Sequence, residues 1–250
     1  MALFDQIKAL IKEDIEQTKN TEDEDLLYIE EETENTIYIY DDLDGFSRRY
    51  SITDPDTISR QWILDRIVIT DSVADAGVTI DKDQLAGWIF DNVDKNMLLT
   101  LEYIILSNDC EDDFDFLEKF NPDKFGQSAE MNTLPDESQL GIMWFNDQVV
   151  AASVGGITNC IDEIIESGYI EDWERMSAIN NEIVKTIVHE IRHLAQANPY
   201  LPEDILLQDG NDEQDAESYA CKVCEENGFP YIISDCWDAG KDEEEYDADL

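Results

Sequence analysis

Residues 173–199 read WERMSAINNEIVKTIVHEIRHLAQANP, and this stretch decides the fold. Ile183, Ile187, Ile191 and Leu194 recur at three- and four-residue intervals, the apolar stripe of an amphipathic helix. The pattern predicts a helix over about 173–197 that ends before Pro199, because the residue ahead of a proline is pushed out of α geometry. The stripe docks this helix on a core and leaves His189 and His193 facing a cleft. Side chains at i and i+4 stack one above the other, so both imidazoles can reach one ion. Glu190, about 100° further round, can reach a water on that ion without ligating it. The chain holds two histidines in all, so the His-Glu-x-x-His spacing does not arise from a histidine-rich composition.

A catalytic zinc takes three protein ligands and keeps a fourth position open. With no third histidine, the remaining ligand is a carboxylate or a thiolate. DEQDAESYA, residues 212–220, supplies candidates on a helix expected over about 212–226. Glu213 is far enough past His193 for a loop to bring this second helix back against the first. Glu213 is the expected ligand, and Glu217, one turn on, the carboxylate that orients a ligand from behind. The reverse assignment of the two glutamates stays open. Ala216 and Ala220 leave room for close helix packing. For the oxyanion of a hydrolytic reaction, Tyr219, Tyr200 and Arg192 are candidates among which the sequence does not choose.

These residues resemble the gluzincin group of zinc metallopeptidases, in which HExxH is followed on a later helix by a glutamate in an ExxA-like context, here Glu213-Gln214-Asp215-Ala216. They are also similar to compact HExxH proteins of phages and mobile elements, antirestriction-type ones included, where HExRH and DAExxA phrasing is common. The likeness covers about residues 139–220. It implies an α+β, zincin-like fold with a small antiparallel sheet, an HExxH helix and a following Glu-bearing helix. It further implies zinc held by His189, His193 and Glu213, with Glu190 as general base of a metallopeptidase. The strand LGIMWF (140–145) would then align an extended peptide substrate by adding it to the sheet. Arg192 stands where strict zincin signatures carry an uncharged residue; pairing with a carboxylate or polarising the substrate would account for it.

Elsewhere, residues 3–18 read as an amphipathic helix, and 26–31 with 36–41 as a hairpin. Helical patterns are read at 56–68, 81–93 with Asp81 as N-cap, 95–107 and 159–167. A second hairpin, 140–145 with 148–153, turns at Asn146-Asp147. The acidic stretch 108–137 reads as a long connection. The chain thus divides into an acidic α+β region (1–130) that can pack on the core, a zincin-like core (131–235) and an acidic disordered tail (236–250). Cys221 and Cys224 are read as buried free thiols, the Asp-rich runs 41–45 and 209–215 as solvated loops, and Trp62, Trp88, Trp144, Trp173 and Trp237 as core or interface.

The charge is extreme: 61 Asp and Glu against 16 Lys and Arg, a net −45. Such a field repels nucleic acid and anionic membranes and attracts basic polypeptides. It therefore argues against direct nucleic-acid binding and for a basic protein or peptide substrate. It also motivates an alternative: an acidic mimic of DNA, of antirestriction type, that occupies a basic DNA-binding protein partner, with the zinc site structural or accessory. The N-terminus lacks the features of a secretory signal and no window reaches membrane-span length. Five cysteines, an odd number without a dense framework, favour reduced thiols and a cytoplasmic setting.

Overall fold

The computed structural model describes residues 3–18, 27–42, 48–108, 140–144, 148–201 and 212–227. Helix α1 (Leu3–Thr18) buries Phe4, Ile7, Ile11 and Ile15, one stripe at helical spacing. It packs on β1 (Leu27–Glu32), the first strand of an antiparallel sheet completed by β2 (Thr36–Asp41) and β3 (Arg48–Thr53). In β2 the two-residue period sends Ile37 and Ile39 inward and Tyr38 outward.

Helix α2 (Arg60–Arg66) starts at Ser59, whose hydroxyl accepts from the Trp62 N–H, and leads into β4 (Ile67–Ile69). Helix α3 (Lys82–Asn92) is capped by Asp81, as expected. Then come a 3-10 turn at Lys95–Met97, β5 (Tyr103–Ser107), β6 (Gly141–Trp144) and β7 (Val149–Ser153). Strand β7 runs straight into helix α4 (Val154–Glu166), where the Ser153 hydroxyl accepts from the Gly156 N–H. Helix α5 (Arg175–Gln196) and helix α6 (Asp212–Glu226) complete the described elements. None of the described helices is long and apolar enough to cross a membrane.

The chain is α+β, but the sheet beneath the histidine helix is not the antiparallel one that the resemblance implies. Its order is β4-β5-β7-β6, with β4, β5 and β7 parallel and only the edge strand β6 antiparallel to its neighbour. The helix expected over 95–107 is replaced by the 3-10 turn and β5. Residues 104–106 are buried between two strands and under both faces. A strand covered on both faces loses the alternation that marks strands in sequence, and its apolar run then mimics a helix. Strands β3 and β4 carry no strong sequence pattern and were not expected. The helix expected at 56–68 is confined to α2, and the one at 159–167 begins five residues earlier. The 108–137 connection beyond residue 108, the Asn146-Asp147 turn and the tail from 236 lie outside the described residues.

One buried apolar cluster runs from Phe4 in α1 through both sheets to Val223 in α6. Gln148, just before β7, ties the two sheets together. Its side-chain amide donates to the carbonyls of Ser51 and Thr100, each at 2.6 Å, and accepts from the Ser51 N–H at 2.7 Å. The residue is buried and holds φ at +58°, unusual for a side chain larger than glycine's. Replacing Gln148 by Leu orphans three buried backbone groups, each worth about 1–3 kcal/mol when left unpaired. The expected outcome is a loss of about 3 kcal/mol or more, read as a lower urea midpoint at an unchanged slope.

Candidate metal centre

Helix α5 is buried on most of its circumference, packed against β6, β7, α4 and α6. Its Ile183, Ile187, Ile191 and Leu194 stripe enters the core as the sequence predicts. His189 and His193 are left half-buried on the face that meets the start of α6. There Glu213 straddles the two rings: its Oε1 is 3.2 Å from His189 Nε2, and its Oε2 is 3.0 Å from His193 Nε2. The two Nε2 atoms are themselves 3.0 Å apart. These three residues form the group that could hold a metal ion among the described residues.

The outer partners decide which ring nitrogen carries hydrogen. Gln196 Nε2 donates to the Asp212 carbonyl at 3.0 Å and to Asp215 Oδ2 at 2.8 Å, both acceptors only. This fixes the amide so that Gln196 Oε1 faces His193 Nδ1 at 2.8 Å, and that nitrogen must be the N–H. On the other ring, Nδ1 lies 3.3 Å from Glu217 Oε2. The His189 hydrogen bond, then that from Lys185, pulls the Glu217 carboxyl down to about 2, so it too only accepts. With Nδ1 carrying the hydrogen in each ring, two neutral imidazoles would turn their Nε2 lone pairs toward the same space, and Glu213 adds a carboxylate oxygen. Three electron-rich atoms at this separation repel unless a cation stands among them. Burial depresses the His189 pKa, but the Glu217 hydrogen bond and the charges of Glu190, Glu213 and Glu217 outweigh it and leave it raised. The same surrounding carboxylates favour a metal cation in that space.

Glu217 is thus behind His189 rather than beside Glu213 at the convergence point. Its Oε1 takes Lys185 Nζ at 2.8 Å and the Cys221 thiol at 3.3 Å. Lys185 is buried; burial lowers its pKa, yet the Glu182 and Glu217 charges win and leave it raised. Glu182, one turn before Lys185 on α5, is also buried, and desolvation pushes it up to about 7 against the pull of Lys185.

Glu190 faces β6, with its carboxylate against Gly141, and is 8% exposed. Burial is the main cause that raises its carboxyl to about 7, with Glu213 adding and His189 opposing. Arg192 turns to the other side of the helix. It is 2% exposed and pairs with Asp215, itself 3% exposed, at 2.6 Å. It also donates to Met97 Sδ and lies over the Tyr219 ring. Of the two roles open to Arg192, the carboxylate pair is the one present.

None of the three oxyanion candidates points at the histidines. The Tyr219 hydroxyl accepts from the Asp94 N–H, and that of Tyr200 faces Tyr50. Cys160, Cys221 and Cys224 are free thiols, but only Cys224 is fully buried, where desolvation lifts it to about 12. Trp62 and Trp88 pack on the core, whereas Trp173 is 80% exposed, so it is not the core residue its type suggests. Sequence reasoning missed Gln196, Asp215 and Lys185. Asp215 was hidden among its acidic neighbours and had been assigned to a solvated run. No family model, curated protein or solved structure matches the chain.

Two predictions follow from the outer partners. Gln196→Leu frees the His193 tautomer and is expected to weaken any divalent-metal binding at these three residues by about 10–100-fold, the usual cost of losing such a partner. Competition with a chromophoric chelator, with circular dichroism unchanged, measures this. Glu182 keeps its proton to a higher pH folded than unfolded, so its contribution is full below the unfolded value near 4.5 and is lost as pH rises through about 7. In metal-free protein, Glu182→Gln is therefore expected to reduce the fall in unfolding free energy across that window.

Proposed function

We propose that the chain is a zinc-dependent endopeptidase of zincin type acting on basic polypeptides. The observation that carries the reading is the convergence of the His189 and His193 Nε2 lone pairs and the Glu213 carboxylate, with both tautomers set from behind. Donors about 2.0–2.1 Å from a tetrahedral zinc stand about 3.3 Å apart. The two Nε2 atoms are 3.0 Å apart, and each is 3.0–3.2 Å from one of the two Glu213 oxygens, close to this. Two imidazoles and one carboxylate are the ligand set of His2Glu catalytic zinc sites, which leave a position for water or substrate.

When bound, zinc supplies a Lewis acid that polarises a carbonyl and makes water easier to deprotonate. His189, His193 and Glu213 would hold it. Glu190 would take the proton from the attacking water and return it to the leaving amine as the carbon–nitrogen bond breaks. A carboxyl at this position can serve both halves of that transfer. Strand β6 would carry the substrate. It is the last strand of its sheet among the described residues, and an extended peptide can add to such an edge through main-chain hydrogen bonds. An antiparallel edge strand beside the HExxH helix supports the zincin-like reading, and the net charge of −45 favours a basic substrate.

The test combines metal content with cleavage of a lysine-rich protein mixture. Glu190→Gln is expected to keep stoichiometric zinc and to lose at least about 10²-fold in turnover; His189→Ala is expected to lose both. Cleavage by the Glu190 variant at the parental rate refutes the mechanism. The charge also supports the second reading, an acidic DNA mimic bound to a basic DNA-binding protein. That reading predicts strongly salt-dependent binding that survives His189→Ala.

A further inference from the structure

Thr186 and Glu190 are one turn apart on α5 and share a face. Gly141, the first residue of β6, lies against that face. A Cβ placed on Gly141 would stand 2.5 Å from Thr186 Cγ2, 2.7 Å from Glu190 Oε1 and 3.0 Å from Glu190 Cγ. These are well inside van der Waals contact, and the neighbours are a methyl on a buried threonine and a buried carboxylate. The bare Cα of Gly141 is therefore the surface on which the Glu190 side chain rests, and the edge strand closes over it. The opposing residue on β7 is Ala152, also small and fully buried, so the strand has no slack on the other side of the pair.

We propose that Gly141 is a positioning residue for Glu190: its missing side chain sets the spacing between the edge strand and the base-bearing face of α5. The backbone that would pair with a substrate and the carboxylate that would act on it are thereby held in one register. The role of Glu190 rests on the peptidase reading, but the packing relation does not. A methyl at position 141 must either lift β6 or push the Glu190 carboxylate aside by about 1 Å, and a misplacement of that size costs on the order of 10²-fold in rate.

The experiment uses the full-length, zinc-loaded protein and measures melting temperature, zinc content and hydrolysis of a fluorescently labelled lysine-rich polypeptide. Gly141→Ala is expected to lower the melting temperature in the parent and to lower it less in a Glu190→Ala background, where the Thr186 contact remains. Zinc should stay stoichiometric in both. In the Gly141→Ala protein kcat should fall on the order of 10²-fold with KM little changed, and adding Thr186→Ser should recover part of the loss. An equal melting decrease in both backgrounds, loss of zinc, or a raised KM at constant kcat overturns the proposal. If Gly141→Ala does not fold, the triple variant with Thr186→Ser and Glu190→Ala should fold, and its failure also overturns it. Parent protein that binds zinc but leaves the lysine-rich polypeptide intact counts against the peptidase reading, and the melting comparison then decides Gly141 alone.

Discussion

The Arg192–Asp215 pair fixes how α5 and α6 meet, and the rest of the site follows from it. Arg192 lies in sequence between His189 and His193, and Asp215 between Glu213 and Glu217. Clamping the middle residue of each group, with both partners almost fully buried, leaves the flanking side chains little choice of register. Asp215 serves twice, because the same Oδ2 accepts from Arg192 and from the Gln196 amide that orients His193. A buried ion pair is weak evidence for stability, since desolvation offsets much of its attraction. Its worth here is geometric.

The charge distribution gives this pair its context. In a chain with 61 carboxylates and 16 basic residues, two of those scarce cations are buried where α6 docks. Lys185 answers Glu217, and Arg192 answers Asp215. Without them, the acidic opening of α6 would be driven off the histidine helix by the carboxylates of both helices. The start of α6 is also where acidic side chains are best tolerated, because the helix dipole is positive there.

Much of this was legible in the sequence, for identifiable reasons. The histidine helix announced itself through a long stripe at one period and a proline after its end. Glu213 and Glu217 were found because a metal site with two histidines requires a further donor and the next helix offers few positions for one. The sheet was misread because β5 is covered on both faces, so nothing in its composition separates it from a helix, and its parallel neighbours lie far away in sequence. Gln196, Lys185 and Asp215 act through side-chain direction, which spacing alone does not fix when several polar residues share a helix face. Gly141 is silent in the sequence altogether, since its importance is the absence of atoms.

Strand β6 also bears on how the chain meets its own copies. Among the described residues it has a partner on one side only, and a row of unpaired main-chain donors and acceptors can template pairing with another copy of the same chain, the first step toward fibrils. Folded proteins usually suppress this with prolines, bulges or a lysine pointing the wrong way along the strand. Here the remedy is colloidal: two molecules carrying −45 each must overcome strong mutual repulsion before their edges can meet. These carboxylates keep the edge from recruiting its own kind, and this protection weakens as salt shortens the range of the repulsion.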